Sequence, residues 1–220
     1  AGHGGTLDPM ASGLLPIAFG EATKTVSYVM NGIKNYQFTI RWGEGRTTDD
    51  AEGEIIASSE KRPNVTAIKK ALKFFVGEIE QVPPIYSAIK VDGKRAYDLA
   101  RSNMPVKLKP RTIHVKRFKL IGVPDSDHAT FEVVAGKGSY VRGLARDLAL
   151  QLGTVGHVSA LRRFKVGPFN INHSISLEKL ENSGHNSKLA RYLLAVETAL
   201  DDIPALAITE SEARNLQLGR

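Results

Sequence analysis

Residues 2–16 read GHGGTLDPMASGLLP, and this stretch decides how the rest of the chain is interpreted. It places a single carboxylate, that of Asp8, in a loop that is rich in glycine and nearly free of other charge. The glycines permit backbone angles that other residues avoid, and Pro9 keeps Asp8 out of the helical region. The loop can therefore hold one exposed acid in a fixed pose. Taken alone, the Asp-Pro dipeptide would indicate only a common turn.

Segment 3–13 of this stretch resembles the signature of the TruB family of tRNA pseudouridine synthases, in which the loop aspartate is the catalytic residue. Further segments resemble the same family in the same order along the chain. They are Tyr36 at the start of a strand, 83–91 (PPIYSAIKV) with 93–97 (GKRAY), 138–142 (GSYVR) and 161–163 (LRR). Because these motifs are spread over the first three quarters of the chain, the resemblance is specific.

The resemblance implies a fold and a domain organisation. The fold is α+β, with a central mixed, largely antiparallel sheet flanked by helices, and 220 residues with 42% hydrophobic content can bury such a core. We expect a catalytic domain over 1–203, whose N-terminal part lies upstream of Ala1, and the beginning of a truncated C-terminal RNA-binding domain of the PUA type over 204–220. Segment 83–110 is richer in Lys and Arg than in acids and is interpreted as a basic, thumb-like flap that closes on RNA.

Hydrophobic periodicity predicts the local structure around these motifs. Alternation of apolar and polar side chains predicts three strands, over 36–42, 112–123 and 129–135. Helical spacing, with capping residues at the ends, predicts helices over 64–77, 94–101, 139–152, 176–180 and 187–200. The helix over 139–152 has the clearest apolar face, and two motif residues fall at its start.

Arg142 is the more informative of these two residues, because the helix dipole already makes a helix start positive. A carboxylate partner would offset this unfavourable placement. The resemblance supplies Asp8, since the family's matching arginine pairs with the catalytic aspartate and stabilises its charged form. The predicted catalytic set is therefore Asp8, Arg142 and Tyr36. From the sequence alone, Arg142 could equally bind phosphate or pair with Asp147.

A uridine inside folded RNA must be turned out of its stack before it can react, which calls for aromatic and apolar surfaces. The resemblance implies that His3 fills the space left by the base and that Tyr36 stacks on the uracil. It also implies that Tyr140 and Leu161 form the walls of the pocket. As isolated sequence features, His3 would be a turn residue, and Tyr36 and Leu161 would be packing residues.

The charge balance fits a polyanionic partner. The chain has 30 Lys and Arg against 23 Asp and Glu, a net charge of +7, and a pI near 9.6. The resemblance identifies the partner as tRNA and the target as the uridine of its T stem-loop (tRNA position 55). Candidate contacts to the RNA backbone are Lys90, Lys94, Arg95, Arg162 and Arg163. A solvated charged surface is the alternative for each of them.

Several classes of protein are disfavoured by what the sequence lacks. It has no Cys, which excludes disulfides and thiolate metal sites and is compatible with the cytoplasm. It shows no apolar run long enough to cross a bilayer and no signal peptide, so no membrane association is expected. Converting uridine to its isomer needs neither cofactor nor metal, and the acid-rich segment 46–53 is interpreted as a turn. No obligate protein partner is indicated, and we expect a monomer.

Two other functions remain open at the level of the sequence. The first is a noncatalytic RNA-binding or tRNA-folding protein of the same fold, expected if Asp8 or Arg142 were displaced. The second is a nucleoside or glycoside hydrolase, which would use Asp8 to release a free base or sugar. A retaining glycosidase needs a second carboxylate about 5 Å from the first. The acid nearest to Asp8 in sequence outside its loop is Glu21, so isomerisation is favoured.

Overall fold

A computed structural model describes residues 1–102, 104–183 and 187–219. The strands are β1 (Gly2–His3), β2 (Ser12–Gly13), β3 (Ile17–Ala18), β4 (Lys34–Trp42), β5 (Glu44–Arg46), β6 (Ile55–Ser58), β7 (Gly77–Gln81), β8 (Lys90–Val91), β9 (Lys94–Arg95), β10 (Arg111–Gly122), β11 (His128–Ala135), β12 (Gly156–Val166) and β13 (Phe169–Asn170). The α-helices are α1 (Val26–Asn31), α2 (Val65–Leu72), α3 (Ala96–Arg101), α4 (Val141–Gln151), α5 (Leu177–Asn182) and α6 (Glu210–Gln217). Short 3₁₀ helices occupy Gly20–Thr25, Lys73–Phe75, Ile171–His173, Ser187–Tyr192 and Val196–Leu200.

One large sheet organises the molecule. Its strand order is β13-β12-β4-β11-β10-β7, and β2 pairs with β12 beside β13. The β2–β12 pairing is parallel, whereas the other pairings of this sheet are antiparallel. The prediction of an α+β fold around a mixed, largely antiparallel sheet is therefore confirmed.

The core lies on the face of the sheet that packs against α2 and α4. Phe38 of β4 and Phe131 of β11 stack with their ring centroids 5.5 Å apart, and Phe118 of β10 contacts both. Because alternate residues of a strand share a face, Tyr36 lies on the same side of β4 as Phe38 and Trp42. The strand thus directs Tyr36 toward the layer that contains α4.

Helix caps set the bounds of the two core helices. The Asn64 side chain accepts a hydrogen bond from the Ala67 amide at 2.8 Å, as its position before α2 predicts. Tyr140 forms the N-cap of α4, so Arg142 lies in the first turn. Gly153, with a φ of 70°, follows the end of this helix.

Two of the predicted helices differ from the structure. The segment 94–101 begins with the strand β9, which pairs with β8 across the turn Asp92–Gly93, and only its second part is helical. The segment 187–200 forms two short 3₁₀ helices instead of one α-helix. Leu193 and Leu194, between them, are 63% and 50% exposed. Because these two central leucines are not buried, they cannot stabilise one regular helix through the segment, which explains the difference.

The C-terminal part of the chain contains α6, which begins with a capping box formed by Thr209 and Glu212. Its side chains are largely exposed. The assignment of 204–220 to a PUA-type domain stays a prediction, and residue 220 lies outside the described part. So do residue 103 in the predicted flap and residues 184–186, which lie between the helices predicted over 176–180 and 187–200. In the part of the chain that the structure describes, no helix has the length and apolar character needed to cross a bilayer.

Lys34 at the start of β4 provides a test of the packing. Its side chain is buried, and its Nζ donates hydrogen bonds to the carbonyls of Met30 and Gly32. Burial, with the positive charges of Arg163 and Lys137 nearby, lowers the pKa of Lys34 from 10.5 to about 8. The folded state therefore disfavours the charged amine.

We expect the stability of the protein to rise with pH between about 8 and 10.5 because of this group. In that range the unfolded chain holds the Lys34 proton and the folded chain releases it. The predicted gain is about 1 to 3 kcal/mol, and Lys34→Met should remove it. Urea unfolding of both proteins across this range measures the difference. A wild-type-minus-variant difference that does not change with pH would contradict the prediction.

Candidate active site

The Asp8 loop, residues 4–16 between β1 and β3, is fixed at both ends by backbone pairing. β1 pairs with β3 antiparallel, and the Gly4 amide donates to the carbonyl of Pro16 at 2.8 Å. Within the loop, the Ala11 amide donates to the carbonyl of Asp8 at 2.9 Å, which closes a tight turn around Pro9. The side chain of Asp8 is 28% exposed. The loop therefore presents its acid at the surface of a well-defined turn.

Arg142 binds the Asp8 carboxylate through two hydrogen bonds. Its Nε lies 2.9 Å from Oδ2 and its Nη2 lies 2.8 Å from Oδ1. Two further guanidinium hydrogens donate to the carbonyls of Thr48, at 3.0 Å, and Tyr86, at 3.1 Å. The Arg142 side chain is only 6% exposed. A buried fork thus orients a carboxylate whose outer side remains open to a substrate.

A second carboxylate stands beside the same guanidinium. Oδ2 of Asp50 lies 3.6 Å from Nε of Arg142, and Asp50 is 2% exposed. Its Oδ1 accepts hydrogen bonds from the hydroxyl of Thr48 and from the Glu52 amide. This segment is a turn, as predicted from the sequence, but the prediction did not include that the turn brings a buried acid to Arg142. The three neighbouring acids of this segment were the signal for it.

The next turn of α4 docks on the same segment. Nη1 of Arg146 lies 2.9 Å from Oδ2 of Asp49, and its Nε lies 2.9 Å from Oδ1 of Asp147. Burial raises the pKa of Asp49 to about 6, which Arg146 opposes. Asp147 thus pairs with Arg146, while Arg142 pairs with Asp8. The alternative pairing of Arg142 with Asp147 is wrong.

Two tyrosines lie close to Asp8. Burial raises the pKa of the Tyr36 phenol and of the Tyr140 phenol, and the Asp8 charge contributes to both shifts in the same direction. Tyr140 is held by Gln81, whose side chain accepts from the Tyr140 amide at 2.9 Å and donates to its carbonyl at 3.1 Å. The structure thus brings Asp8, Arg142, Tyr36 and Tyr140 together from separate elements.

The other two predicted substrate-binding residues lie in different environments. His3 is exposed on β1, next to the Asp8 loop, and its Nδ1 accepts from the Gly5 amide at 3.3 Å. Leu161 is 7% exposed and belongs to the hydrophobic core, opposite Phe38 in the sheet. The roles of His3 and Leu161 toward a substrate stay predictions.

The predicted contacts to the RNA backbone separate into exposed and buried cations. Lys90, Lys94 and Arg95 are exposed on the β8–β9 hairpin of the predicted flap. Arg162 is exposed on β12, and its guanidinium lies over the Phe164 ring at 5.4 Å from the centroid. These four side chains are accessible to a phosphate backbone.

Arg163 was predicted to bind phosphate, and the structure shows this prediction to be wrong. The residue is 2% exposed, and its guanidinium donates to the carbonyls of Gly5, Thr6 and Leu14 at 2.9 to 3.0 Å. Neighbouring residues of a strand face opposite sides, so Arg162 points outward and Arg163 inward. The pair of arginines in the sequence does not reveal which of the two is buried.

Residues 1–102, 104–183 and 187–219 contain no cluster of three or more His, Asp or Glu side chains that could hold a metal ion.

Removing the Asp50 carboxylate tests the second acid of the site. Asp50→Ala is expected to lower the free energy of unfolding by about 2 to 4 kcal/mol, because the Thr48 hydroxyl and the Glu52 amide lose their acceptor and Arg142 loses a buried negative charge beside it. Asp127→Ala is the matched control. The Asp127 carboxylate is 45% exposed and accepts from Arg62 at 2.6 Å, so we expect a loss below about 1 kcal/mol. Equal losses in urea unfolding would contradict the buried role of Asp50.

Comparison with known proteins extends this description. The model for the N-terminal domain of TruB family pseudouridylate synthases matches residues 1–141, and that for the C-terminal domain of tRNA pseudouridylate synthase B matches 142–201. The tRNA pseudouridine synthase B of Rhodospirillum rubrum is 57% identical over 219 residues, which cover all of this chain and 71% of that protein. The protein of the same name from Bradyrhizobium diazoefficiens is 58% identical over 226 residues, covering all of this chain and 65% of that protein.

A chain in the crystal structure of a Cbf5-Nop10-Gar1 complex superimposes with a TM-score of 0.75 at 26% identity, over all of this chain and 58% of that chain. This chain thus spans only part of each of these proteins. The fold, the loop acid held by a buried arginine and the family models define the class of protein as a pseudouridine synthase. Within that class, the chain belongs to the TruB family. The family and enzyme class predicted from the sequence are confirmed.

Proposed function

We propose that this protein converts the uridine of the T stem-loop of tRNA to pseudouridine, with Asp8 as the single catalytic acid and no cofactor. The bidentate pairing of the partly exposed Asp8 with the buried Arg142 carries the proposal. The relatives from Rhodospirillum rubrum and Bradyrhizobium diazoefficiens are both named tRNA pseudouridine synthase B, which supports tRNA as the substrate. The net charge of +7 is favourable for such a partner.

The reaction fits a single oriented carboxylate. The bond between uracil N1 and the ribose carbon breaks, a bond from C5 to the same carbon forms, C5 loses its proton and N1 gains one. No electrons are exchanged with another molecule. Asp8 can attack the sugar carbon, attack C6 of the ring, or remove a ribose proton so that the base leaves. In each route Arg142 keeps the carboxylate pointing outward while its charge changes.

The target base must leave its stack to reach Asp8, and the surroundings of the acid suit this step. Tyr36 and Tyr140 offer half-buried aromatic faces beside Asp8, on which a uracil can stack. In this proposal the exposed His3 fills the space that the base leaves in the RNA. Leu161 supports the pocket from the core side.

The exposed cations fit the path of the RNA backbone. We assign phosphate contacts to Lys90, Lys94 and Arg95 on the flap, and to Arg162 on β12. The flap, 83–110, joins the site through the Tyr86 carbonyl, which accepts from Arg142. Closure of the flap on bound RNA would bring Lys90, Lys94 and Arg95 toward the phosphates. The proposal further comprises a cytoplasmic monomer with a catalytic domain over 1–203 and an RNA-binding segment beginning at 204.

Tritium release tests the proposal. The protein is incubated with a tRNA transcript that carries tritium at C5 of uridine, with an isolated T stem-loop, and with an anticodon stem-loop of the same tRNA. Tritium release and pseudouridine formation are expected for the first two substrates, at the T-loop uridine, and not for the third. Binding without release would support the noncatalytic RNA-binding function instead. Free uracil among the products would support a hydrolase.

A further inference from the structure

Arg163 lies between the loop that carries Asp8 and the strand that carries Tyr36. It lies on β12, between Gly13 of β2 on one side and Tyr36 of β4 on the other, and it is the register partner of both. A Cβ atom added to Gly13, whose φ is 103°, would lie 2.2 Å from the Arg163 carbonyl oxygen. The limb of the Asp8 loop that follows Asp8 therefore packs, at Gly13, directly against the backbone of Arg163.

The guanidinium of Arg163 spans the whole Asp8 loop. Nη2 donates to the carbonyl of Gly5 at 2.9 Å and Nη1 to that of Thr6 at 3.0 Å, just before Asp8. Nε donates to the carbonyl of Leu14 at 2.9 Å, on the limb that follows. One planar fork thus fixes both limbs, with a different nitrogen for each carbonyl. A lysine has all its donors on one nitrogen and could not reach all three.

This arrangement is costly to the fold, which argues for a role beyond packing. Arg163 is fully buried, and the ion pairs found among the described residues give it no carboxylate partner. A buried cation held by neutral dipoles, here three carbonyls and the Tyr36 phenol, loses more hydration than it recovers in an average core. The buried ammonium of Lys34 lies near enough to add an unfavourable like charge. An apolar side chain would pack here at a lower cost.

We infer that Arg163 is a positioning residue for the reaction, which holds both limbs of the Asp8 loop in register with Tyr36 and thereby sets where the acid stands relative to the stacked base. The inference rests on the proposed function and adds a residue to it. Arg163 is 2% exposed and its guanidinium donates to loop carbonyls instead of to the Asp8 carboxylate, so it acts through the loop backbone and through the Tyr36 phenol beside it. Its loss should slow the chemical step and leave RNA affinity nearly unchanged.

Two variants and one control test this inference. Arg163→Lys keeps the positive charge but loses the planar set of N–H donors. Arg163→Met keeps a similar side-chain volume but loses both the charge and the donors. Arg117→Met is the control, since Arg117 is an exposed arginine of β10 that pairs with Glu132. Each protein is examined by hydrogen exchange of the peptide covering 4–15, by the dissociation constant for the T stem-loop, and by single-turnover pseudouridine formation at saturating enzyme. Thermal unfolding identifies any variant that fails to fold.

For Arg163→Lys we expect loop amides to exchange about threefold faster or more, and the single-turnover rate to fall about 10- to 100-fold. The dissociation constant should change by less than about threefold, and Arg117→Met should match the wild type. A wild-type rate, a lower rate with unchanged loop exchange, or a loss confined to RNA affinity would each overturn the inference. If the wild type forms no pseudouridine, the proposed function fails, and loop exchange alone decides whether Arg163 holds the loop.

Discussion

Asp8→Asn is expected to lower the single-turnover rate of pseudouridine formation by at least about 10⁴-fold. The amide has nearly the shape of the carboxylate, and its oxygen can still accept from Arg142. It can neither attack carbon as an anion nor take up a proton. Because the Asp8 loop is held by backbone contacts, the variant should fold and should bind the T stem-loop with a dissociation constant within about threefold of the wild type.

The matched control is Asp125→Asn. Asp125 lies in the exposed connection between β10 and β11, where it pairs with His128 and contacts nothing in the site. The same change of charge there should leave the rate unaltered. Tritium release and direct detection of pseudouridine should agree for all three proteins. Measurable turnover by Asp8→Asn at more than about a hundredth of the wild-type rate would contradict a single catalytic acid.

The strands and core helices could be predicted because their signals are local. Alternation in 36–42 predicts β4, and the apolar face of 139–152 predicts α4, since burial of one face is what stabilises each element. The segment 187–200 has a comparable apolar content, yet it forms two 3₁₀ helices, because Leu193 and Leu194 at its centre stay exposed and no continuous apolar face is buried. Sequence periodicity reports the capacity to bury a face, not whether a second surface covers it.

The pairing at the site could be predicted only through the family resemblance. Asp8 and Arg142 are separated by 134 positions, and local electrostatics left Asp147 as an equally good partner. Asp50 was missed because a turn assignment says nothing about which buried group the turn meets. Arg163 was assigned to the surface because the phase of β12, which sends Arg163 inward and Arg162 outward, depends on the sheet neighbours.

Arg142→Met is expected to cost both stability and activity. The Arg142 guanidinium donates hydrogen bonds to the Asp8 loop, to the segment containing Thr48 and to the base of the flap at Tyr86. No other single side chain in the described site contacts three such distant segments. Removing it leaves buried acceptors without donors, and we expect the free energy of unfolding to fall by about 3 to 5 kcal/mol. The rate should fall about 10³-fold, because the acid loses its orientation and its counter-charge.

Arg142→Lys separates charge from geometry. One ammonium cannot form both hydrogen bonds to Asp8 and also reach the carbonyls of Thr48 and Tyr86. We therefore expect the lysine variant to recover part of the stability, measured by urea unfolding, but to stay at least about tenfold slower than the wild type in single-turnover assays. Full recovery of the rate would show that only the positive charge of Arg142 matters.

The two acids beside Arg142 should respond differently to its loss, and this identifies the source of the expected instability. Asp8 is 28% exposed and can be hydrated when its partner is removed, whereas the Asp50 side chain is 3% exposed and cannot. In the Arg142→Met background, Asp50→Asn should therefore restore about 1 to 3 kcal/mol, and Asp8→Asn less than about 1 kcal/mol. Urea unfolding of the two double variants measures both values. If both substitutions restored the same free energy of unfolding, the exposed acid would depend on Arg142 as strongly as the buried one. That result would contradict the assignment of Asp8 as an outward-facing reactive carboxylate and of Asp50 as an inward-facing structural one.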